Sequence, residues 1–127
     1  MKEEDEKKLG LSKNTWSKDN LVGDARKVKP KFNPNLVQTE IYELITQETY
    51  GTTYSFNKMR ILPGGSVKEQ SHADQHAIFI LDGECEILLG DQWVSVEKGQ
   101  YVYIPPDMRH SFVNSRKTAA EVLILKI

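Results

Sequence analysis

The chain has 127 residues, one domain by the usual span of roughly 100–200 residues and long enough for one hydrophobic core without disulfide or metal staples. Its 17 Lys and Arg against 18 Asp and Glu leave a net charge of −1, which gives no basic footprint for nucleic acid. No apolar run approaches the roughly 20 residues of a membrane span, so neither a nucleic acid nor a membrane is an expected partner.

The chain opens on "MKEEDEKK", charged and with no apolar segment behind it, which does not read as a secretion signal. Cys85 is the single cysteine and cannot form an internal disulfide, so a reducing, cytoplasmic setting is expected. Residues 1–35 are rich in Lys, Asp, Glu and Asn and poor in apolar side chains, and are expected to form an arm without a core of its own. Trp16, Leu21 and Val22 are the exceptions, as anchors onto the body or onto a second subunit. Residues 36–127 are expected to form the folded body.

From residue 36 the punctuation becomes regular. "NLVQTEIYELITQETYG" fits a helical face through Val37, Ile41, Leu44 and Ile45, but Thr39–Thr46 is rich in strand formers, and a strand is the preferred reading. "TTYSFNKMRIL" alternates and is expected to stop in a turn at Pro63-Gly64-Gly65. "AIFIL-DG-ECEILL" reads as a hairpin closed by a two-residue turn at Asp82-Gly83. Gly90-Asp91, Lys98-Gly99, Pro105-Pro106-Asp107 and Ser115-Arg116-Lys117 separate four more short strands. Short strands at this spacing without a convincing helix predict an all-β sandwich or small barrel.

Adjacent side chains of a strand point to opposite faces, so parity predicts which residues meet. In "SFNKMRIL", Lys58 and Arg60 share one face, and burying two unpaired cations is costly; they are expected outside, with Asn57, Met59 and Ile61 inside. Glu84 and Glu86 outside put Cys85, Ile87 and Leu89 inside, with Cys85 as inert packing. Lys126 shares its face with Val122 and Ile124 and, being near-terminal, is placed at the mouth of a barrel.

"QSHADQHAIFILDGE" holds the chemistry. Gln70, His72 and His76 have equal parity, so a strand, a short loop and the next strand can aim all three to one side. The third histidine of the chain is His110. Neutral imidazole is a common ligand for Zn, Fe, Ni and Cu, whereas the Gln70 amide oxygen is a weak donor that either binds a metal or holds a metal-bound water. Asp74 is either an acceptor for a ligand imidazole or an ordinary loop-tip carboxylate.

"PGGSVKEQSHADQHAIFILDGECEIL" together with "GQYVYIPPDMRHSFVN" resembles the two signature motifs of the cupin superfamily, in the small single-domain, conserved-barrel type. Gly64 opens the first motif, Gln70 falls on its first histidine, His72 on its second, His76 on its glutamate, and Gly83 closes it. Gly99 and Pro105 frame the second motif, with His110 as its histidine. The likeness covers about residues 36–127.

The resemblance implies a jelly-roll β-barrel with an N-terminal arm and one divalent transition-metal ion inside, Zn, Ni, Fe or Mn, on His72, His76 and His110 with Gln70 at or near a fourth position. Two departures from the family pattern, Gln70 and His76, leave such a centre with its full charge of about +2, which favours an anionic ligand and acidifies bound water more strongly. The pocket is expected to be walled by Asn57, Met59, Ile61, Ile78, Ile80, Phe112, Val122 and Ile124, with Asn57 the polar exception that orients a ligand. The expected function is a metal-dependent enzyme, an oxygenase, lyase or isomerase, on a small enol or carboxylate. The alternative is a non-catalytic small-ligand binding or sensor module. A homodimer is expected, with the arm adding to the partner's sheet as in similar cupins.

Overall fold

The computed structural model describes residues 17–127; the anchor expected at Trp16 lies outside the described residues. Two short helical turns come first, α1 (Lys18–Leu21), opened by a capping box at Ser17, and a 3-10 turn (Ala25–Lys27), and neither contains a buried residue. Leu21 and Val22 are 53% and 71% exposed, and Leu21 borders a surface groove with Leu44, Ile45, Tyr50 and Phe56.

Eight strands follow: β1 (Leu36–Ile45), β2 (Ser55–Gln70), β3 (His76–Asp82), β4 (Glu84–Leu89), β5 (Gln92–Glu97), β6 (Tyr101–Ile104), β7 (His110–Val113) and β8 (Ala120–Lys126). A single helical turn, α2 (Gln47–Tyr50), separates β1 from β2. The ladders run β5-β4-β7-β2-β8-β3-β6, with β1 along β2. The preferred strand reading of residues 39–46 is therefore met by β1, which pairs antiparallel with β2 from Leu36↔Val67 to Ile45↔Phe56.

Two expected turns are something else. Pro63-Gly64-Gly65 does not end a strand; β2 continues through it, pairing with β8 up to Ile61 and with β7 from Ser66. The segment bulges because β1 advances only from Val37 to Thr39 while β2 advances from Ser66 to Ile61. Gly64 takes φ +79 there, and Asn114 exchanges backbone hydrogen bonds with Gly64 and Gly65. The bulge bends one long strand where its partner changes from β8 to β7, as bulges do at barrel corners.

Asp82-Gly83, likewise, is not a hairpin turn. β3 pairs with β6 and β8, and β4 pairs with β5 and β7, so this dipeptide carries the chain between two strands that are not neighbours in the barrel. Gly83 has φ +74, and a Cβ on it would come within 2.4 Å of the Ala119 carbonyl oxygen, so the corner accepts only glycine. Local sequence marks both places as turns, but the partner that each strand chooses is non-local. Gly90-Asp91 is a true two-residue hairpin, with Leu89 opposite Gln92.

The parity assignments agree with the burial. Met59, Ile61, Ile78, Ile80, Cys85, Ile87, Ile104, Phe112 and Val122 are part of one apolar core. Lys58 and Arg60 face outward, where both reach Glu121 and Arg60 also reaches Glu40. Glu84 and Glu86 pair with Arg116. Asn114, fully buried, ties the corner together: its Nδ2 donates to the carbonyls of Ile61 and Thr118, and its Oδ1 accepts from the Arg116 amide. No helix among the described residues is long and apolar enough to cross a membrane.

Candidate metal centre

Three strands and two loops bring the histidines together. His110 opens β7 and stands opposite Gln70, the last residue of β2. His76 opens β3, where it stands opposite Ile104 on one side and Lys126 on the other. His72 lies in the loop between β2 and β3, and this loop is tied to the β6–β7 turn: the Asp107 amide donates to the His72 carbonyl (2.8 Å) and Ser71 Oγ donates to the Asp107 carbonyl (2.9 Å). Asp107 itself takes φ +66 to make that turn.

The three imidazole centroids form an equilateral triangle, each 4.8 Å from the other two. One ligand atom from each residue lies within 4.8 Å of the others, so the three histidines could hold a metal ion. His76 and His110 are buried, and His72 is partly exposed. His110 Nδ1 lies 2.9 Å from the Met108 carbonyl, a contact that holds the proton on Nδ1 and leaves the Nε2 lone pair free, the arrangement that supports an imidazole ligand. Nδ1 of His72 and of His76 are buried without a hydrogen-bond partner. Buried polar atoms are nearly always paired, and unpartnered imidazoles facing one another are a donor set that suits a divalent transition metal.

The electrostatics keep those lone pairs available. Burial pushes the His76 pKa down to about 4, helped by His110, His72 and Lys126. Burial also lowers the His72 pKa, with His110 and Lys126 acting in the same direction. Asp74 opposes both shifts weakly. Its Oδ2 is 3.9 Å from His72 Nδ1, too far for a hydrogen bond, so the loop-tip reading describes it better. Gln70 Oε1 is 3.4 Å from His72 Nε2, which places the amide beside the triangle.

A cavity of about 190 Å³ opens beside the histidines. Gln70, His76 and His110 border it, and of the walls expected from parity Asn57, Met59, Phe112 and Ile124 do so as well. Ile61, Ile78, Ile80 and Val122 point the same way but pack in the core and do not border it. Asn33, Leu36, Ile41, Val67 and Lys126 complete the lining. Asn33 and Leu36 come from the end of the arm and the start of β1; no periodicity in the sequence could place them over the opening. Arg109, next to His110, faces solvent and pairs with Glu69 (2.8 Å) and Asp91 (3.5 Å). Cys85 is fully buried away from the cavity, and burial raises its thiol pKa to about 11, which makes it inert.

An eight-stranded β-barrel with three clustered imidazoles is the class that fold and site define. The sequence model of the Cupin domain matches residues 57–126, and the chain belongs to this family. It is 31% identical over 91 residues to an (S)-ureidoglycine aminohydrolase of Arabidopsis thaliana, covering 68% of this chain and 30% of that protein. It is 30% identical over 95 residues to the polyketide synthase CurC of Streptomyces cyaneus, covering 73% of this chain and 60% of that protein. The chain thus spans less than two thirds of either relative. Among solved structures it resembles the polyketide cyclase RemF from Streptomyces resistomycificus, with TM-score 0.75, 22% identity, and 82% and 76% of the two chains covered. It also resembles a protein described as a predicted oxalate decarboxylase from Thermotoga maritima, with TM-score 0.77, 23% identity, and 84% and 97% covered. These two likenesses concern the fold.

Proposed function

We propose that this chain binds one divalent transition-metal ion on His72, His76 and His110, with Gln70 beside it, and acts on a small enol or carboxylate. The observation that carries this reading is the triangle of imidazoles, two of its residues buried and bordering a cavity, with unpartnered ring nitrogens on His72 and His76. When bound, such an ion supplies Lewis-acid polarisation of a substrate oxygen and a lowered pKa for a bound water. The chain's own residues supply the rest. Met59, Ile41, Phe112 and Ile124 exclude water from one side of the substrate, and Asn57 and Gln70 offer amide groups to orient it. The cavity is small beside the roughly 300–1,000 Å³ of typical ligand pockets, which suits a substrate of few atoms. The sequence likeness to an (S)-ureidoglycine aminohydrolase supports an enzymatic reading.

One feature favours a second reading, a binding or sensor module. The cavity lining contains no Asp or Glu, so the usual carboxylate acid or base is missing. A single-turnover screen separates the two. Fe(II)- and Mn(II)-loaded protein is mixed with diketones, phenols and keto acids while oxygen and product are followed. The enzyme reading expects at least one metal form to convert a ligand; binding without conversion across the set leaves the module.

A homodimer is part of the same proposal. The outer face of β3 and β6 exposes Phe79, Tyr101 and Tyr103, the last two 80% and 56% exposed, and among the described residues β1 presents an outer edge met only by the Lys31↔Ile41 bridge. Apolar outer faces and open edges are surfaces that a partner covers.

A further inference from the structure

We propose that Lys126 and Asn57 form a second recognition pole of the cavity, so that the molecule it takes carries a carboxylate for Lys126 and a hydroxyl or amine hydrogen for Asn57. This deepens the proposed function and rests on its reading of the cavity as the ligand site.

β2, β8 and β3 run side by side with their inward faces aligned. His76, Lys126 and Ser55 stand opposite one another in one cross-strand row, and Ile78, Ile124 and Asn57 in the next. Lys126 and Asn57 are therefore diagonal neighbours on the inward face, roughly 7–8 Å apart, with His76 beside Lys126. Both line the cavity.

Each lacks what it needs. Among the described residues, Lys126 makes no ion pair or hydrogen bond, whereas Arg60, Arg109 and Arg116 are all paired. Asp74 borders the adjacent surface pocket with Lys126 but does not come within ion-pair distance. The Asn57 side chain is likewise unpaired, and its Oδ1 is buried. An ammonium facing a half-enclosed apolar cavity is stabilised by an anion, and a buried amide oxygen by a donor. A hydroxy- or amino-carboxylate satisfies both at once and keeps the rest of its body against Met59 and Ile124. A neutral enol or diketone satisfies neither the ammonium nor its field.

Salicylate and phenol are the probes, since they share a ring and a hydroxyl and differ by one carboxylate. Both are titrated calorimetrically into wild-type protein and into Lys126→Met, Lys126→Arg and Asn57→Leu, each metal-loaded and metal-free, with metal content measured and folding checked by circular dichroism. Wild-type protein is expected to prefer salicylate by about tenfold or more, the worth of one charge-assisted hydrogen bond. In the metal-free titrations, where no ion competes for the carboxylate, Lys126→Met should abolish the preference, Lys126→Arg should keep it, and Asn57→Leu should weaken both probes while the preference remains. The proposal is overturned if metal-free wild-type protein shows no preference, binding of neither probe included, or if metal-free Lys126→Met retains it. Absence of metal from wild-type protein would instead defeat the metal reading, while the anion preference is still read from the metal-free titrations.

Discussion

At the residue scale, the burial that keeps the His76 lone pair available also makes it a liability in metal-free protein. Its pKa falls from 6.5 to about 4 on folding. The unfolded chain thus binds a proton below about pH 6.5 that the folded chain takes up only near pH 4. A depressed pKa of this kind gives stability that is present above pH 6.5 and lost as pH falls through that window. The melting temperature of metal-free protein should drop between pH 6.5 and 4, and His76→Gln should flatten part of that slope. An unchanged slope in the variant would remove His76 from the account. Gln70 offers a finer contrast. Gln70→Ala should cost less than about tenfold in metal affinity, because water replaces an amide oxygen, while Gln70→His should tighten binding. The sequence made these residues legible because parity acts over a few positions and needs no knowledge of the fold. The Met108 carbonyl that orients His110 was not legible, since any residue at that position presents the same backbone oxygen.

At the element scale, strand identity was written locally and strand partnership was not. β1 and the strands after it follow alternation and turn residues, yet Asp82-Gly83 and Pro63-Gly64-Gly65 carry the same local signal as hairpin turns while serving as corners of the barrel. What decides is which strand is already paired with which, a property of the whole ladder. The corners predict their own sensitivity. Gly83→Ala combines a positive φ with a 2.4 Å approach to the Ala119 carbonyl oxygen. It should lower unfolding free energy by at least about 1–2 kcal/mol in urea titration. Asn114→Ala leaves the buried Ile61 carbonyl and the Thr118 carbonyl without their side-chain donor. It should cost about 1–3 kcal/mol by the same measurement, with metal affinity preserved when folded protein is titrated. A neutral result at Asn114 would mean that water replaces the amide.

For the whole molecule, the barrel supplies three things at once: an apolar core, a triangle of imidazoles and a cavity lined in part by Asn33 and Leu36. A homodimer would cover the outer face of β3 and β6, and Phe79→Glu should shift light scattering at micromolar concentration from dimer toward monomer without loss of strand content. A wild-type monomer in that experiment would end the dimer proposal. The expected arm could be read from composition, but the place where its end meets the cavity could not, because Asn33 is recruited by tertiary contact alone.

The central claim is that His72, His76 and His110 act on one ion. Zn(II) titrated into metal-free wild-type protein and His110→Ala by isothermal calorimetry tests it most directly, with circular dichroism confirming that both are folded. The account predicts about one site per chain in wild-type protein, and in the variant a loss greater than the roughly 10–100-fold that removal of a merely supporting partner costs. Undiminished affinity in His110→Ala would contradict a shared site.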